Sequence, residues 1–262
     1  MNAAAIPTPF RVKERVQENP KTVSLVLDGS LSCAPGQFAM LWLPGVDEKP
    51  FSISGSDPLM FTISRVGPFS QALHSLCPGN SLWVRGPFGR GFSLQAGSSL
   101  LVGGGYGAAP LAFLARAALS GAPARPAGPA GPARGVEAAL GARTAADLLF
   151  ADRFRAMGVT VHAATEDGSE GTAGLVTEVV KKLLASGRFA AVQACGPEAM
   201  LEALAGVCKS AEVQAELSFE AYMRCGMGLC GACEHAGRLV CMDGPVFSLA
   251  EVRNAGPAVP RS

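Results

Sequence analysis

Four cysteines near the end of the 262-residue chain are spaced in a way that could bind iron. They are Cys225, Cys230, Cys233 and Cys241, which stand as C-x4-C-x2-C-x7-C. Three closely spaced cysteines followed by a more distant fourth are typical of plant-type [2Fe–2S] sites. Gly226, Gly228 and Gly231 lie between them, and glycine permits the backbone conformations that bring N–H groups close to the sulfurs. The spacing therefore predicts a [2Fe–2S] cluster held by these four thiolates.

A structural zinc site is the alternative for the same cysteines. Zinc is usually bound by paired C-x2–4-C knuckles or by Cys2His2 sets, whereas the first two gaps here are four and two within one segment. His235 could complete a zinc site, but one cysteine would then be spare. The spacing favours iron. Cys33, Cys77 and Cys208 are interpreted as buried free cysteines.

A glycine-rich turn follows a short apolar run and precedes a segment of helical composition. The turn reads Gly103, Gly104, Gly105, Tyr106 and Gly107. Such a turn lets backbone amides and a helix N-terminus meet a phosphate. The acidic residue expected about 20 positions later in a dinucleotide site is missing, so the motif by itself could also be a simple tight turn.

Two further motifs could bind a cofactor. Cys195, Gly196 and Pro197 follow another apolar run, and we expect them at the carboxyl edge of a sheet, where open α/β sheets bind ligands. The sequence Lys49-Pro50-Phe51-Ser52-Ile53-Ser54 offers a cation and two hydroxyls beside an apolar ring. That combination could hold a flavin and its phosphates.

The elements that must position these motifs fall into three parts. Short runs alternating in hydrophobicity, separated by Pro/Gly turns, predict an antiparallel barrel in the first hundred residues. Alternating apolar runs and helical patterns then predict an open parallel sheet, with Thr144 capping one helix and Pro197 opening another. The predicted domains are a barrel over 1–96, a nucleotide-binding α/β domain over 97–212 and a small cluster domain over 213–262.

Composition limits the classes of partner. Hydrophobic residues make up 48% of the chain, charged residues 16%, and the net charge is +1, so nothing favours nucleic acid or a membrane surface. The uncharged stretch 93–115 contains several glycines and is interpreted as strand, turn and helix rather than a membrane span. Without a signal-peptide pattern, the expected location is cytoplasmic. Residues 121–135, rich in Ala, Pro, Gly and Arg, are predicted to form a mobile surface loop.

The order of the motifs KPFSIS, GPFGRGF, GGGYGAAPL, CGPEAM and DGPVF resembles the ferredoxin–NADP reductase superfamily. It most resembles the electron-transfer subunits of NAD-linked dihydroorotate dehydrogenases. The resemblance implies an oxidoreductase subunit with one FAD, one [2Fe–2S] cluster and an NAD site. It also implies an FMN-containing catalytic subunit that oxidises dihydroorotate in pyrimidine biosynthesis, in a heterotetramer with two copies of each chain.

The resemblance also implies which residues bind each cofactor, and it implies no catalytic residue in this chain. The expected FAD contacts are Lys49, Pro50, Phe51, Ser52, Ile63, Ser64, Arg65 and Ser70. The expected nicotinamide contacts are Gly103, Gly104, Gly105, Tyr106, Gly107, Cys195, Gly196 and Pro197.

Cofactor chemistry suggests the same order of electron flow without reference to a family. A nicotinamide gives two electrons as hydride, a [2Fe–2S] cluster accepts one at a time, and a flavin does both, so the flavin must lie between them. Two alternatives remain open. One is a subunit of another flavin/iron–sulfur reductase, of the sulfide dehydrogenase or NADP–ferredoxin transhydrogenase type, and the other is a non-enzymatic zinc-binding module.

Overall fold

The N-terminal part of the computed structural model, which describes residues 6–95, 97–120 and 135–253, is a closed antiparallel barrel. Its strands are β1 (Thr8–Asn19), β2 (Thr22–Leu27), β3 (Phe38–Leu43), β4 (Asp47–Ser56), β5 (Leu59–Ser64) and β6 (Ser81–Phe88). They pair in the order β1-β2-β5-β4-β3-β6. Closure leaves no strand edge unpaired. The predicted barrel is confirmed.

Apolar side chains from every strand fill the barrel, and a short helix covers one end of it. Leu25, Leu41 and Phe61 are fully buried inside. Helix α1 (Pro68–His74) follows β5 and packs Phe69 and Leu73 against the same core. Helix α1 was not predicted, because seven residues are too few to show helical periodicity.

The second part is a seven-stranded sheet with helices on its faces. In chain order its elements are β7 (Ser99–Gly104), α2 (Ala108–Ser120), β8 (Val136–Ala142), α3 (Ala151–Ala156), β9 (Thr160–Thr165), β10 (Thr172–Ala173), α4 (Val176–Leu184), β11 (Ala191–Cys195), α5 (Glu198–Ser210) and β12 (Gln214–Ser218). The pairs among these strands are all parallel. The predicted parallel sheet is therefore confirmed, and stretch 93–115 is strand, turn and helix.

The cysteine segment leaves this sheet after β12 and returns to it. It contains a hairpin of β13 (Glu234–His235) and β14 (Arg238–Leu239), and then α6 (Val240–Asp243). Strand β15 (Val246–Ser248) pairs antiparallel with β12, and α7 (Leu249–Arg253) follows. Both ends of the cluster segment are therefore anchored on one sheet. The domain divisions at 96/97 and 212/213 stay a prediction.

Several local predictions were wrong. Thr144 precedes a 3-10 turn, and its hydroxyl contacts Asp147, while α3 begins only after Phe150. Pro197 lies one position before the first turn of α5 rather than within it. Cys77 is exposed, unlike the buried Cys208. The predicted mobile loop at 121–135 lies almost wholly outside the described residues.

No helix in the described ranges is long and apolar enough to cross a membrane.

An arginine of the GPFGRGF motif joins the barrel to strand β15 and helix α7. Arg90 donates to both carboxylate oxygens of Glu251 in α7 and to the carbonyl of Val246. Glu251 also accepts hydrogen bonds from the backbone and hydroxyl of Ser248, both at 2.8 Å. The Arg90 hydrogen bond is the main reason that the pKa of Glu251 falls to about 2. The two motifs GPFGRGF and DGPVF thus bind each other.

We expect this clamp to make stability depend on acid. A carboxyl whose folded pKa lies below its ordinary value stabilises the fold at pH above about 4.5, and this contribution disappears as the pH falls toward 2. Glu251→Gln should lower the free energy of unfolding at pH 7 by ~1–3 kcal/mol. The difference from the wild type should shrink between pH 5 and pH 2 in urea titrations.

The matched control is Asp152→Asn, which removes a carboxylate that is 96% exposed in its ion pair with Arg155. It should change stability by less than about 0.5 kcal/mol. A Glu251→Gln effect that stays constant across this pH range would contradict the assigned role of the clamp.

Candidate functional site

A cavity of about 600 Å³ lies where the barrel meets the sheet. Its walls come from β4, β5, the start of α1, the glycine turn after β7, and the carboxyl ends of β11 and β12. Nine of the sequence-predicted cofactor residues line it. They are Lys49, Pro50, Phe51, Ser52, Ser64, Ser70, Tyr106, Gly107 and Cys195. Motifs that are distant in sequence therefore share one site.

The barrel wall combines an apolar ring surface with hydroxyl groups. Phe51 of β4 and Phe69 of α1 have ring centroids 6.2 Å apart. Ser54, the second hydroxyl of the KPFSIS motif, and Thr62, which was not predicted, also line the cavity and are hydrogen-bonded to each other at 3.2 Å. Lys49 supplies the cation, with its Nζ 2.9 Å from an Asp47 carboxylate oxygen. A flat heterocycle with a polar chain and phosphates suits such a wall.

Ser70 has a structural role beside the cavity. Its hydroxyl accepts hydrogen bonds from the N–H groups of Val66 (2.9 Å) and Gly67 (3.0 Å), and donates to the Gly67 carbonyl at 2.9 Å. These contacts fix the turn that leads from β5 into α1. The turn itself forms part of the cavity wall. The Ser70 hydroxyl therefore shapes the site by fixing the backbone of this turn.

Seven predicted residues lie outside the cavity lining. Ile63 is fully buried in the barrel core, where its carbonyl contacts the His74 ring at 2.9 Å. Arg65 is exposed. The others lie around the glycine turn and the start of α5, and they are Gly103, Gly104, Gly105, Gly196 and Pro197. The cofactor contacts assigned to all seven stay predictions.

The glycine turn and the CGP motif touch through their backbones. A Cβ atom at Gly107 would lie 2.2 Å from the carbonyl oxygen of Cys195, so only glycine fits at this position. This contact aligns the carboxyl ends of the neighbouring strands β7 and β11. It explains why both motifs belong to one site even though about ninety residues separate them.

The sheet wall carries a carboxylate that the sequence analysis missed. Tyr106 donates its hydroxyl to Glu220 at 3.1 Å. Glu220 is an exposed residue that lines the cavity. Partial desolvation of its carboxyl raises the pKa, against the lowering effect of the Tyr106 hydrogen bond. Burial also raises the pKa of the Cys195 thiol, to about 12. A carboxyl in this position can take part in proton exchange at the cavity.

The four predicted cluster ligands come together as two pairs. The thiol of Cys225 contacts that of Cys230, and the thiol of Cys241 contacts that of Cys233. Within the described residues, no group of three or more His, Cys, Asp or Glu side chains converges closely enough to hold a metal ion. Two thiolates for each iron is the arrangement that a two-iron cluster needs.

Backbone N–H groups point at these sulfurs. Met227 and Leu229 donate to Cys225 Sγ at 3.5 and 3.3 Å, and Gly228 donates to Cys241 Sγ at 3.2 Å. Burial raises the pKa of Cys225, but these donors and Cys230 outweigh it, and the pKa falls to about 7. The backbone donors therefore stabilise negative charge on Cys225, as a bound thiolate requires. At Cys241 burial dominates and raises the pKa of the thiol to about 12.

One short segment joins the cavity to the cysteines. Phe219, Tyr222 and Met223 line the cavity, and Cys225 follows only two residues later. At Gly226 the segment presses on the barrel, since a Cβ atom there would lie 2.9 Å from Met40 Cγ. The cysteine site and the cavity therefore adjoin.

We expect this close approach to depend on glycine at position 226. Gly226 and Gly231 have φ values of 70° and 71°, so an added side chain strains both backbones by about 1–2 kcal/mol. At Gly231 a Cβ atom meets nothing within 4 Å. Gly226→Ala should therefore cost a further ~1–3 kcal/mol through the clash with Met40.

Urea unfolding and iron per chain measure both effects, with Gly231→Ala as the matched control. Lower iron occupancy is expected for Gly226→Ala alone. Equal stability and equal iron content in the two variants would refute the contact between the cysteine segment and the barrel.

Comparisons with known proteins match the cysteine segment and the parallel sheet to two different domain families. A family model described as the iron–sulfur cluster binding domain of dihydroorotate dehydrogenase B matches residues 220–253. A second, described as an oxidoreductase NAD-binding domain, matches residues 101–206. A chain in the structure of an NADH-dependent reduced ferredoxin–NADP oxidoreductase has a TM-score of 0.80 and 26% identity, over 92% of this chain and 88% of that one. A ferredoxin–NADP+ reductase from Plasmodium falciparum shares the fold, with a TM-score of 0.65, 12% identity, and coverage of 80% of this chain and 96% of that one.

Two curated relatives carry the same name, the electron transfer subunit of dihydroorotate dehydrogenase B (NAD(+)). The protein from Methanocaldococcus jannaschii is 39% identical over 92% of this chain and 89% of its own. The protein from Methanothermobacter thermautotrophicus is 40% identical over 98% and 95%. With its cavity, paired cysteines and sheet in the same chain, this protein belongs to the family of dihydroorotate dehydrogenase B electron transfer subunits.

Proposed function

We propose that this chain passes electrons between NAD and an FMN-containing subunit that oxidises dihydroorotate, in pyrimidine biosynthesis. FAD occupies the cavity, and Cys225, Cys230, Cys233 and Cys241 hold a [2Fe–2S] cluster. The observation that carries this proposal is the segment 219–225, which forms the cavity wall and supplies the first cluster ligand. Because the two sites adjoin, an electron need cross only a short distance of protein.

The cavity fits a flavin on both of its walls. Phe51 and Phe69 offer apolar surface, and the Ser54 and Thr62 hydroxyls offer polar contacts on the barrel side. Lys49 provides a positive charge for phosphate. Its ammonium group acts as a point charge, unlike the bidentate fork of an arginine. Tyr222 lies at the same site, with its ring 5.8 Å from Lys49 Nζ.

The nicotinamide nucleotide is assigned to the sheet side. The glycine turn leads into the thirteen-residue helix α2, and the N-terminus of such a helix favours phosphate. Gly107 and Cys195 face the same cavity as the flavin residues. That placement brings a nicotinamide against a flavin at the carboxyl edge of the sheet.

The cofactors supply the redox chemistry: hydride exchange between nicotinamide and flavin, and single-electron exchange with the cluster. The residues of this chain position those groups and handle the proton. Glu220, with its raised pKa and its hydrogen bond to Tyr106, is the carboxyl placed to exchange a proton at the cavity. Met223 and Cys195, both buried, close the cavity wall against water.

The catalytic subunit is expected to cover the cysteine face. Leu229 is 80% exposed and Met242 is 57% exposed. Gly228, the residue before Leu229, lies against Met242, since a Cβ atom at Gly228 would be 2.9 Å from Met242 Cγ. Exposed apolar side chains beside a redox centre suit a protein interface. Two copies of each chain would form the complex, with the cluster of each electron-transfer subunit facing an FMN.

Loss of one cluster ligand should separate the two halves of the reaction. Cys230→Ser should abolish the cluster and lower dihydroorotate-dependent NADH formation at least 100-fold, while NADH still reduces bound FAD with an artificial acceptor. Cys77→Ser is the matched control, since Cys77 is equally an exposed thiol. Iron, sulfide and flavin analysis with the reconstituted catalytic subunit measures this. A Cys230→Ser variant that keeps full coupled activity would refute the assigned path.

A charge on the cysteine face should weaken assembly. Leu229→Glu should raise the dissociation constant for the catalytic subunit at least tenfold and leave FAD and iron content unchanged. Leu175→Glu, at a leucine 59% exposed beside α4, is the control. Equal binding by both variants in analytical ultracentrifugation would place the interface elsewhere.

The same reconstitution distinguishes the proposed function from a second candidate, electron exchange with ferredoxin. The similarity to the NADH-dependent reduced ferredoxin–NADP oxidoreductase chain favours a subunit that exchanges electrons with ferredoxin instead of dihydroorotate. Ferredoxin-dependent turnover without any dihydroorotate-dependent turnover would select that alternative.

A further inference from the structure

A buried arginine connects the barrel to the first cysteine of the cluster segment. Arg85 lies on β6, and its side chain is only 7% exposed. It donates to both carboxylate oxygens of Glu48 on β4, at 2.9 and 2.8 Å. The same Nη2 atom donates to the carbonyl of Cys225 at 2.9 Å. These contacts span 140 residues of sequence.

This arginine is retained at an energetic cost. Its Nη1 is the one buried side-chain nitrogen or oxygen, in the ranges that the structure describes, without a hydrogen-bond partner. An unsatisfied buried donor destabilises the fold, and more so when it is charged. The partner carboxylate of Glu48 is 25% exposed, so water reaches the negative end of the pair more easily than the positive end. The positive end faces the cysteine segment.

We propose that Arg85 is a positioning residue for the cluster. Its positive charge, balanced by the carboxylate of Glu48, sets how readily the cluster accepts an electron. The inference rests on the proposed function, because it requires a cluster at Cys225. Electron uptake adds one negative charge to a cluster and its thiolates. A cation at the backbone of one ligand stabilises that charge, and a buried environment screens it weakly.

The second part of the role is mechanical. Arg85 and the contact of Gly226 with Met40 hold the same turn against adjacent strands of the barrel. Met40 and Arg85 are directly paired across β3 and β6. The cluster segment is therefore fixed to the barrel wall that also bounds the flavin cavity, which keeps the distance between the two sites constant.

The test is an anaerobic redox titration of the cluster in the full chain, followed by electron paramagnetic resonance. Arg85→Met removes the cation and should lower the midpoint potential. Glu48→Gln leaves the cation without its counter-charge and should raise the potential. Arg85→Lys keeps the charge but loses the planar fork, so its potential should stay near that of the wild type while thermal stability falls.

Opposite shifts in Arg85→Met and Glu48→Gln are the signature of a charge effect. A purely structural role would loosen the turn and admit water in both variants, which would move both potentials in the same direction. Shifts in the same direction, or no shift in either, would overturn the inference. Should Arg85→Met fail to fold, a Glu48→Gln potential at or below that of the wild type would overturn it equally.

A matched ion pair controls for general destabilisation. Arg153 of α3 pairs with Glu18 of β1, which joins the barrel to the sheet without contacting the cysteine segment. Arg153→Met and Glu18→Gln should leave the cluster potential unchanged. A wild-type protein that binds no iron or sulfide would instead refute the proposed function itself, so the two failures are distinguishable.

Discussion

Close backbone contact between segments far apart in sequence is the constraint on which this molecule depends. Gly107 lies against the carbonyl of Cys195, and Gly226 lies against Met40. The first contact brings the two sheet motifs into one cavity, and the second brings the cysteines to the barrel. A side chain at Gly107 would separate the two motifs of the sheet wall, and a side chain at Gly226 would push the cysteine segment away from the barrel. The fold therefore acts as a spacer that fixes distances between sites.

Charged side chains maintain the same arrangement from the barrel side. Arg85 holds the start of the cysteine segment, and Arg90 holds its end through Glu251 and Val246. Arg85 lies within the last barrel strand, β6, and Arg90 follows it two residues after its end. Both ends of the cluster segment are therefore held from the same part of the barrel. Removing one partner of such a partly buried pair leaves the other charge unpaired and is costly, and the intact pair specifies one geometry.

The local part of the design could be predicted from sequence, and the long-range part could not. Some features depend only on neighbouring residues in the sequence. These are the cysteine spacing, the glycine turn after β7, and the alternation that predicted strands β2 and β3. Glu220 carries no local signal, because its environment comes from Tyr106, 114 residues away. The resemblance implied a cofactor contact for Ile63, and that contact stays a prediction. Strand alternation places the Ile63 side chain in the barrel core.

The central claim is that electrons pass from nicotinamide through flavin to the cluster within this one chain. The most direct measurement is anaerobic rapid mixing of the purified holoprotein with NADH, in the absence of the catalytic subunit. The account predicts that the flavin absorbance bleaches first and that the signal of the reduced cluster follows, and that the second phase is lost when Cys230 is replaced. Cluster reduction that precedes flavin bleaching, or that never occurs, would contradict it.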